Sequence, residues 1–173
     1  LALRTSTGGV LGSATTSGTS HTQTGLSSNV RYAAQVSVRN ASGLGPPGTT
    51  VYAYTRTSVP GQVSILFVST DTLSVSWDAN GNPSGTFYRL FLSPTPPASA
   101  SDVPGSASSG FGANISTWSS TSPGMALNGL LPGTSYYLRI QSINGDALAS
   151  GFNASTFTRT TTFSAISSTT SPP

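Results

Sequence analysis

The chain contains no cysteine, no lysine and no glutamate, and charged residues make up only 6% of its 173 positions. Without cysteine there are no disulfides and no thiolate metal sites, so the sequence carries no report of its redox compartment. Four carboxylates, Asp71, Asp78, Asp102 and Asp146, stand against seven singly scattered arginines, giving a net charge of +3 without a basic cluster. A nucleic-acid footprint requires clustered cations, so no nucleic-acid partner is expected. The longest apolar run, at 65–68, falls far short of the roughly 20 residues a membrane-spanning helix needs, so no membrane insertion is expected in this segment.

Groups for catalysis are equally scarce. Nucleophilic chemistry needs a base held beside the nucleophile, and the one histidine, His21, lies in a Ser/Thr-rich stretch where a surface or edge position is the natural reading. The four aspartates lie near expected turns or loops, where a carboxylate serves the backbone, not as a pair facing a cleft. Asp78, Asn80 and Asn82 are spaced like the start of a calcium loop, but the closing glutamate is missing. No catalytic, cofactor-binding or metal-ligating residue is assigned, and the chain is expected not to be an enzyme.

What is present is hydroxyl and alternation. Serine and threonine supply about a third of the residues, a composition that would suit a disordered chain were the apolar residues not spaced with period two. Tyr32, Ala34, Val36 and Val38 fall on one face of an expected strand, as do Tyr136, Leu138, Ile140 and Ser142. Further strands are expected at 63–68, 72–77, 87–92, 114–117, 125–128 and 155–162, separated by turn sequences such as Asn80-Gly81-Asn82-Pro83. No segment of helical length has a 3.6-residue apolar period, so the expected fold class is all-β and sandwich-like.

The pattern occurs twice. Gly25-Leu26-Ser27-Ser28-Asn29-Val30-Arg31-Tyr32 aligns without gaps on Gly129-Leu130-Leu131-Pro132-Gly133-Thr134-Ser135-Tyr136, 104 positions on. Leu1-Ala2-Leu3 echoes Leu90-Phe91-Leu92, and Tyr54-Thr55-Arg56-Thr57 echoes Phe157-Thr158-Arg159-Thr160. The Gly-Leu to Tyr run, closing on Asn144-Gly145, resembles the fibronectin type III domain, with Trp77 similar to that family's strand B tryptophan and Tyr88-Arg89-Leu90 similar to its strand C. The resemblance implies tandem fibronectin type III-like, or immunoglobulin-like, β-sandwiches, in which Tyr32 and Tyr136 form tyrosine corners and Trp77 is core. Residues 58–162 then make a complete domain. Residues 1–57 make the C-terminal part of another, strands C to G without A and B, and 163–173 a Ser/Thr/Pro linker or the start of a further repeat.

Several surface features remain. Three sequons, at Asn40, Asn114 and Asn153, are possible glycosylation sites. Arg89 and Phe91 on one strand, with Tyr137 and Arg139 on another, are expected to point away from the core and offer a contact surface. Trp118 is expected either to lie partly buried or to meet a ligand. The functional expectation is a structural component of an extracellular or cell-surface fibre, filament or array. Its partners are other copies of itself or neighbouring repeats, with 161–166 of another copy as one candidate for completing the first unit. The alternative is a spacer or binding module of a secreted carbohydrate-active enzyme or adhesin, with glycans or surface proteins as partners.

Overall fold

The computed structural model describes residues 2–5, 10–97 and 116–163. Among these residues the regular elements are all strands: β1 (Ala2–Thr5), β2 (Val10–Ser13), β3 (Arg31–Gln35), β4 (Ser37–Asn40), β5 (Gly43–Pro47), β6 (Val51–Tyr54), β7 (Val63–Val68), β8 (Thr72–Trp77), β9 (Phe87–Ser93), β10 (Ser116–Ser120), β11 (Gly124–Asn128), β12 (Ser135–Ile143) and β13 (Thr156–Arg159). The strands expected at 63–68 and 72–77 have these bounds, whereas the one expected at 155–162 is shorter. Thr160 leaves the ladder to brace a turn through its hydroxyl, which accepts from Thr134 N–H at 2.9 Å and donates to Leu131 O at 2.6 Å.

The second unit is a two-layer sandwich. One antiparallel sheet has the order β10-β9-β12-β13 and the other β11-β8-β7. Alternation decides which side chains meet between them. On β8, Leu73, Val75 and Trp77 turn inward and are buried, while the residues between them are half-buried. They pack against Tyr88, Leu90 and Leu92 from β9, Leu127 from β11, and Tyr136, Leu138 and Ile140 from β12. Trp77 meets Tyr88 edge to face at 5.4 Å, a geometry favoured by the ring quadrupoles. Burial pushes the Tyr88 phenol above its usual range, so this ring is neutral core. Trp118 packs partly buried against the same cluster, in line with the first of its two expected roles.

The first unit repeats one of these layers. Its sheet, β2-β1-β3-β6, has the order of β10-β9-β12-β13. Ala2 pairs with Gln35 as Phe91 pairs with Arg139, which sets Leu3 in the place of Leu92, in line with the upstream echo. The downstream echo is out of register by two residues. Arg31 pairs with Tyr54 as Ser135 pairs with Arg159, so Tyr54 corresponds to Arg159 and Tyr52 to Phe157.

Burial distinguishes the two layers. Leu138 and Ile140 are fully buried in the second unit, but Val36, in the place of Ile140, is 58% exposed. In the first unit it is Ala33, on the opposite face, that is buried; Tyr52 pairs across the strand from it and carries Arg31 over its ring at 4.5 Å. At Val36 the strand breaks into β3 and β4, and β4 pairs with β5 as a separate hairpin.

Leu73→Ala should lower unfolding stability by about 2–5 kcal/mol, the range for opening a cavity in a packed core. Val36→Thr should stay within about 0.5 kcal/mol, as for an exposed position. Urea unfolding of both variants checks the contrast, and a comparable loss at Val36 would mean that its face is covered in solution.

Candidate functional site: the junction between the units

The junction begins with a turn that is built twice in atomic detail. Tyr32 Oη accepts from Ser27 N–H at 3.1 Å, and Tyr136 Oη accepts from Leu131 N–H at 3.0 Å. Each corner is cross-braced by a threonine. Thr55 Oγ1 accepts from Val30 N–H and donates to Ser27 O, as Thr160 Oγ1 accepts from Thr134 N–H and donates to Leu131 O. A phenol and a hydroxyl thereby satisfy the polar groups of a tight turn that no ladder reaches. The residue at the tip adopts positive φ in both corners, Asn29 at 49° and Gly133 at 62°. Asparagine tolerates this region better than most side chains, and here its amide is aimed at the other unit.

Asn29 Nδ2 donates to Thr86 Oγ1 at 2.9 Å, and its Oδ1 accepts from Gly145 N–H at 3.0 Å. One side chain thus ties the corner of the first unit to two loops of the second. Ser28 Oγ donates to Gly81 O at 2.8 Å, and Asp146 Oδ2 accepts from Tyr54 N–H at 2.7 Å. Asn144 Nδ2 donates to Thr55 O at 3.2 Å. The Tyr54 ring packs against Gly145 so closely that a Cβ there would overlap it, which makes glycine a steric requirement. The connecting residues are held as well. Ser58 and Asn82 exchange two bonds of 2.8 and 2.9 Å, and Ser142 Oγ donates to Ser58 O at 2.7 Å.

Beside these bonds lies a shallow cleft of about 280 Å³, lined in part by Tyr54, Phe87, Asn29 and Asn144. Neither carboxylate nor imidazole lines it. Among the described residues no group of three His, Cys, Asp or Glu comes together, and no helix is long and apolar enough to cross a membrane. The junction can therefore fix geometry through hydrogen bonds, but it presents no recognisable catalytic group.

The residues singled out from the sequence are placed as follows. Tyr32, Tyr136 and Trp77 occupy the corner and core positions expected of them. Asn80 N–H bonds Asp78 Oδ1 at 2.8 Å, a turn in keeping with the non-calcium reading, and His21 is exposed. The four-residue contact surface does not form. Arg89 is exposed and Tyr137 half-buried against Phe157, but Phe91 and Arg139 are buried. Phe152 folds over both, edge to face with Phe91 at 5.2 Å and under the Arg139 guanidinium at 5.2 Å, while Arg139 Nε donates to Asn153 O.

Asn153 is also enclosed, at 6% exposure. Its Oδ1 accepts from Ile140 N–H at 2.8 Å and its Nδ2 donates to Gly61 O at 2.9 Å. Its amide nitrogen is committed to the fold, which corrects its place among the glycan acceptors. Asn40 is exposed at the β4–β5 turn, and Asn114 lies outside the described residues. Asn29, the centre of the junction, was not singled out from the sequence; its position just before the corner strand is the signal that was available.

Two antiparallel layers around one core, closed by a tyrosine corner, define the second unit as a β-sandwich module. The fibronectin type III domain model matches residues 58–156. The chain belongs to the fibronectin type III family, whose domains commonly serve as extracellular structural or adhesion modules and are typically non-catalytic. A two-domain fibronectin type III segment of chicken tenascin superposes with a TM-score of 0.59 at 19% identity, covering 92% of this chain and 82% of that one. The FN1–FN3 domains of chicken CNTN1 align at 22% identity with a TM-score of 0.45, covering 82% of this chain. This chain spans 46% of that three-domain chain. These likenesses are of fold. Among curated proteins nothing matches.

Asn29→Ala and Gly145→Val should loosen the junction without unfolding the sandwich. Small-angle scattering should show a broader range of separations between the units, with the unfolding midpoint of the second unit unchanged; unchanged scattering would remove the junction's mechanical role. Asn153→Ala strands the Ile140 amide in the interior and should cost about 1–3 kcal/mol in denaturant unfolding.

Proposed function

We propose that this chain is a structural element of an extracellular or cell-surface fibre, filament or array, built from tandem β-sandwich units and stiffened at their junctions. The observation that supports this reading most directly is the Asn29 clamp, with its neighbours Ser28, Tyr54, Asn144 and Asp146. A flexible tether needs none of these bonds. Five residues of two loops and a corner, all satisfied across the gap, restrict the angle between neighbours, so that pull or compression passes from one unit to the next.

The surface chemistry suits this role. With 6% charged residues and about a third serine and threonine, neighbouring chains meet with little electrostatic repulsion. A glycan on Asn40, at the exposed hairpin turn, supplies hydration that the charge does not. Partners on this reading are neighbouring repeats and other copies of the chain.

Electron microscopy of the native material tests the proposal. Beaded filaments or a regular surface layer are the expected result. Isolated short particles attached to a larger catalytic body would instead favour a spacer in a secreted enzyme or adhesin. In a host with N-linked glycosylation, enzymatic deglycosylation should lower the mass of the peptide bearing Asn40 and leave no change at Asn153.

A further inference from the structure

The corner that seats the first unit on the second is built again at the far end of the second unit, with different side chains at its tip. By the matching hydrogen bonds, Leu131 stands in the place of Ser27, Pro132 in that of Ser28 and Gly133 in that of Asn29. Arg159 stands in the place of Tyr54. Pro132 and Gly133 have no side-chain donor to reach a neighbour as Ser28 and Asn29 do, so this second corner cannot make the polar clamp. It is apolar instead: Leu131 is 66% exposed, and Phe163, just beyond, is 76% exposed.

At the junction, the corner of the first unit meets the turn that follows β12 in the second unit, at Asn144, Gly145 and Asp146. The equivalent turn of the first unit is the tip of the β4–β5 hairpin. That hairpin is apolar where the second unit's turn is polar, with Val38 76% and Leu44 72% exposed. The two ends of the chain therefore carry the two halves of the same kind of joint, and both halves have exchanged amide and carboxylate chemistry for aliphatic and aromatic side chains.

We propose that the corner formed by Leu131, Pro132 and Gly133 seats on the β4–β5 hairpin of a second copy of this chain, continuing end to end the joint already made within it. The proposal rests on the array reading above and names its contact. Because the two faces differ, each copy uses one and offers the other. Such a heterologous contact does not close on itself, and it yields an open filament. Arg159 lies at the corner and Arg39 on the hairpin, both exposed. Their repulsion is screened by salt, so assembly should strengthen as ionic strength rises, the reverse of a contact held by ion pairs.

Sedimentation velocity of the 173-residue chain over a concentration series tests the contact. The expected result is a sedimentation coefficient that climbs with concentration and with salt. Leu131→Asp and Leu44→Asp, both at exposed positions, should each abolish that dependence while leaving circular dichroism and the unfolding midpoint unchanged. Mixing the two variants should restore one contact and give a discrete dimer that grows no further, because each copy still holds one intact half. A chain that stays monomeric, or that associates regardless of either substitution, would overturn the proposal. A closed dimer abolished by Val36→Asp would also overturn it, placing association on the open sheet face. A rigid junction in scattering together with a monomeric chain would sink this contact alone and leave the array reading standing.

Discussion

The rest of the molecule depends on a turn whose polar groups are satisfied by one phenol and one hydroxyl. In each unit a tyrosine at the start of the central strand accepts from an amide five residues earlier, and a threonine from the last strand bonds both sides of the turn. This double brace fixes the path of the chain as it enters β3 or β12 and registers the final strand against it. It also sets the tip residue in a left-handed conformation and aims it outward. In the first corner that residue is asparagine, so a constraint that begins as local backbone satisfaction ends as the angle between two units.

The strand faces and the corner tyrosines were legible in the sequence because they rest on period-two alternation and on a glycine-to-tyrosine spacing that recurs without gaps. The register of the last strand was not. Tyr54-Thr55-Arg56-Thr57 matches Phe157-Thr158-Arg159-Thr160 by residue type, yet the structure pairs Thr55 with Thr160 because the threonine hydroxyl must reach the corner. A strand rich in threonine offers several equivalent alignments, and only a hydrogen bond from elsewhere selects one. Arg139 and Asn153 were misplaced for a related reason. Alternation correctly puts Arg139 on the outer face, but Phe152 then folds over that face and buries it. Asn153 carries a sequon pattern, while its amide bonds two main-chain groups that lie far apart in sequence.

Scarcity of charge shapes the junction as much as its geometry does. With Asp146 as the one carboxylate among the bonds described there, most of the joint is amide, hydroxyl and main chain. Such bonds are individually modest, about 0.5–1.5 kcal/mol net, and they are far less sensitive to salt than a lattice of ion pairs would be. A joint of this kind keeps its angle across the changing ionic conditions outside a cell. Its specificity comes from placement: Gly145 must lack a side chain for Tyr54 to lie against it, and Asn29 must hold positive φ for both ends of its amide to find partners.

The contrast between a polar joint within the chain and an apolar one at its ends follows from how each is formed. Within the chain the connecting residues 57–60 hold the two surfaces at high effective concentration, so weak, directional bonds suffice and select a single angle. Between copies no linker supplies that advantage. Association must first overcome the loss of translational and rotational freedom, which costs several kcal/mol or more, and hydrogen bonds exchanged with water return too little to do so. Burial of Leu131 and Phe163 against Val38 and Leu44 is the larger and less directional term. The same backbone corner can thus serve both tasks, with the residues at its tip deciding whether it sets an angle or drives assembly.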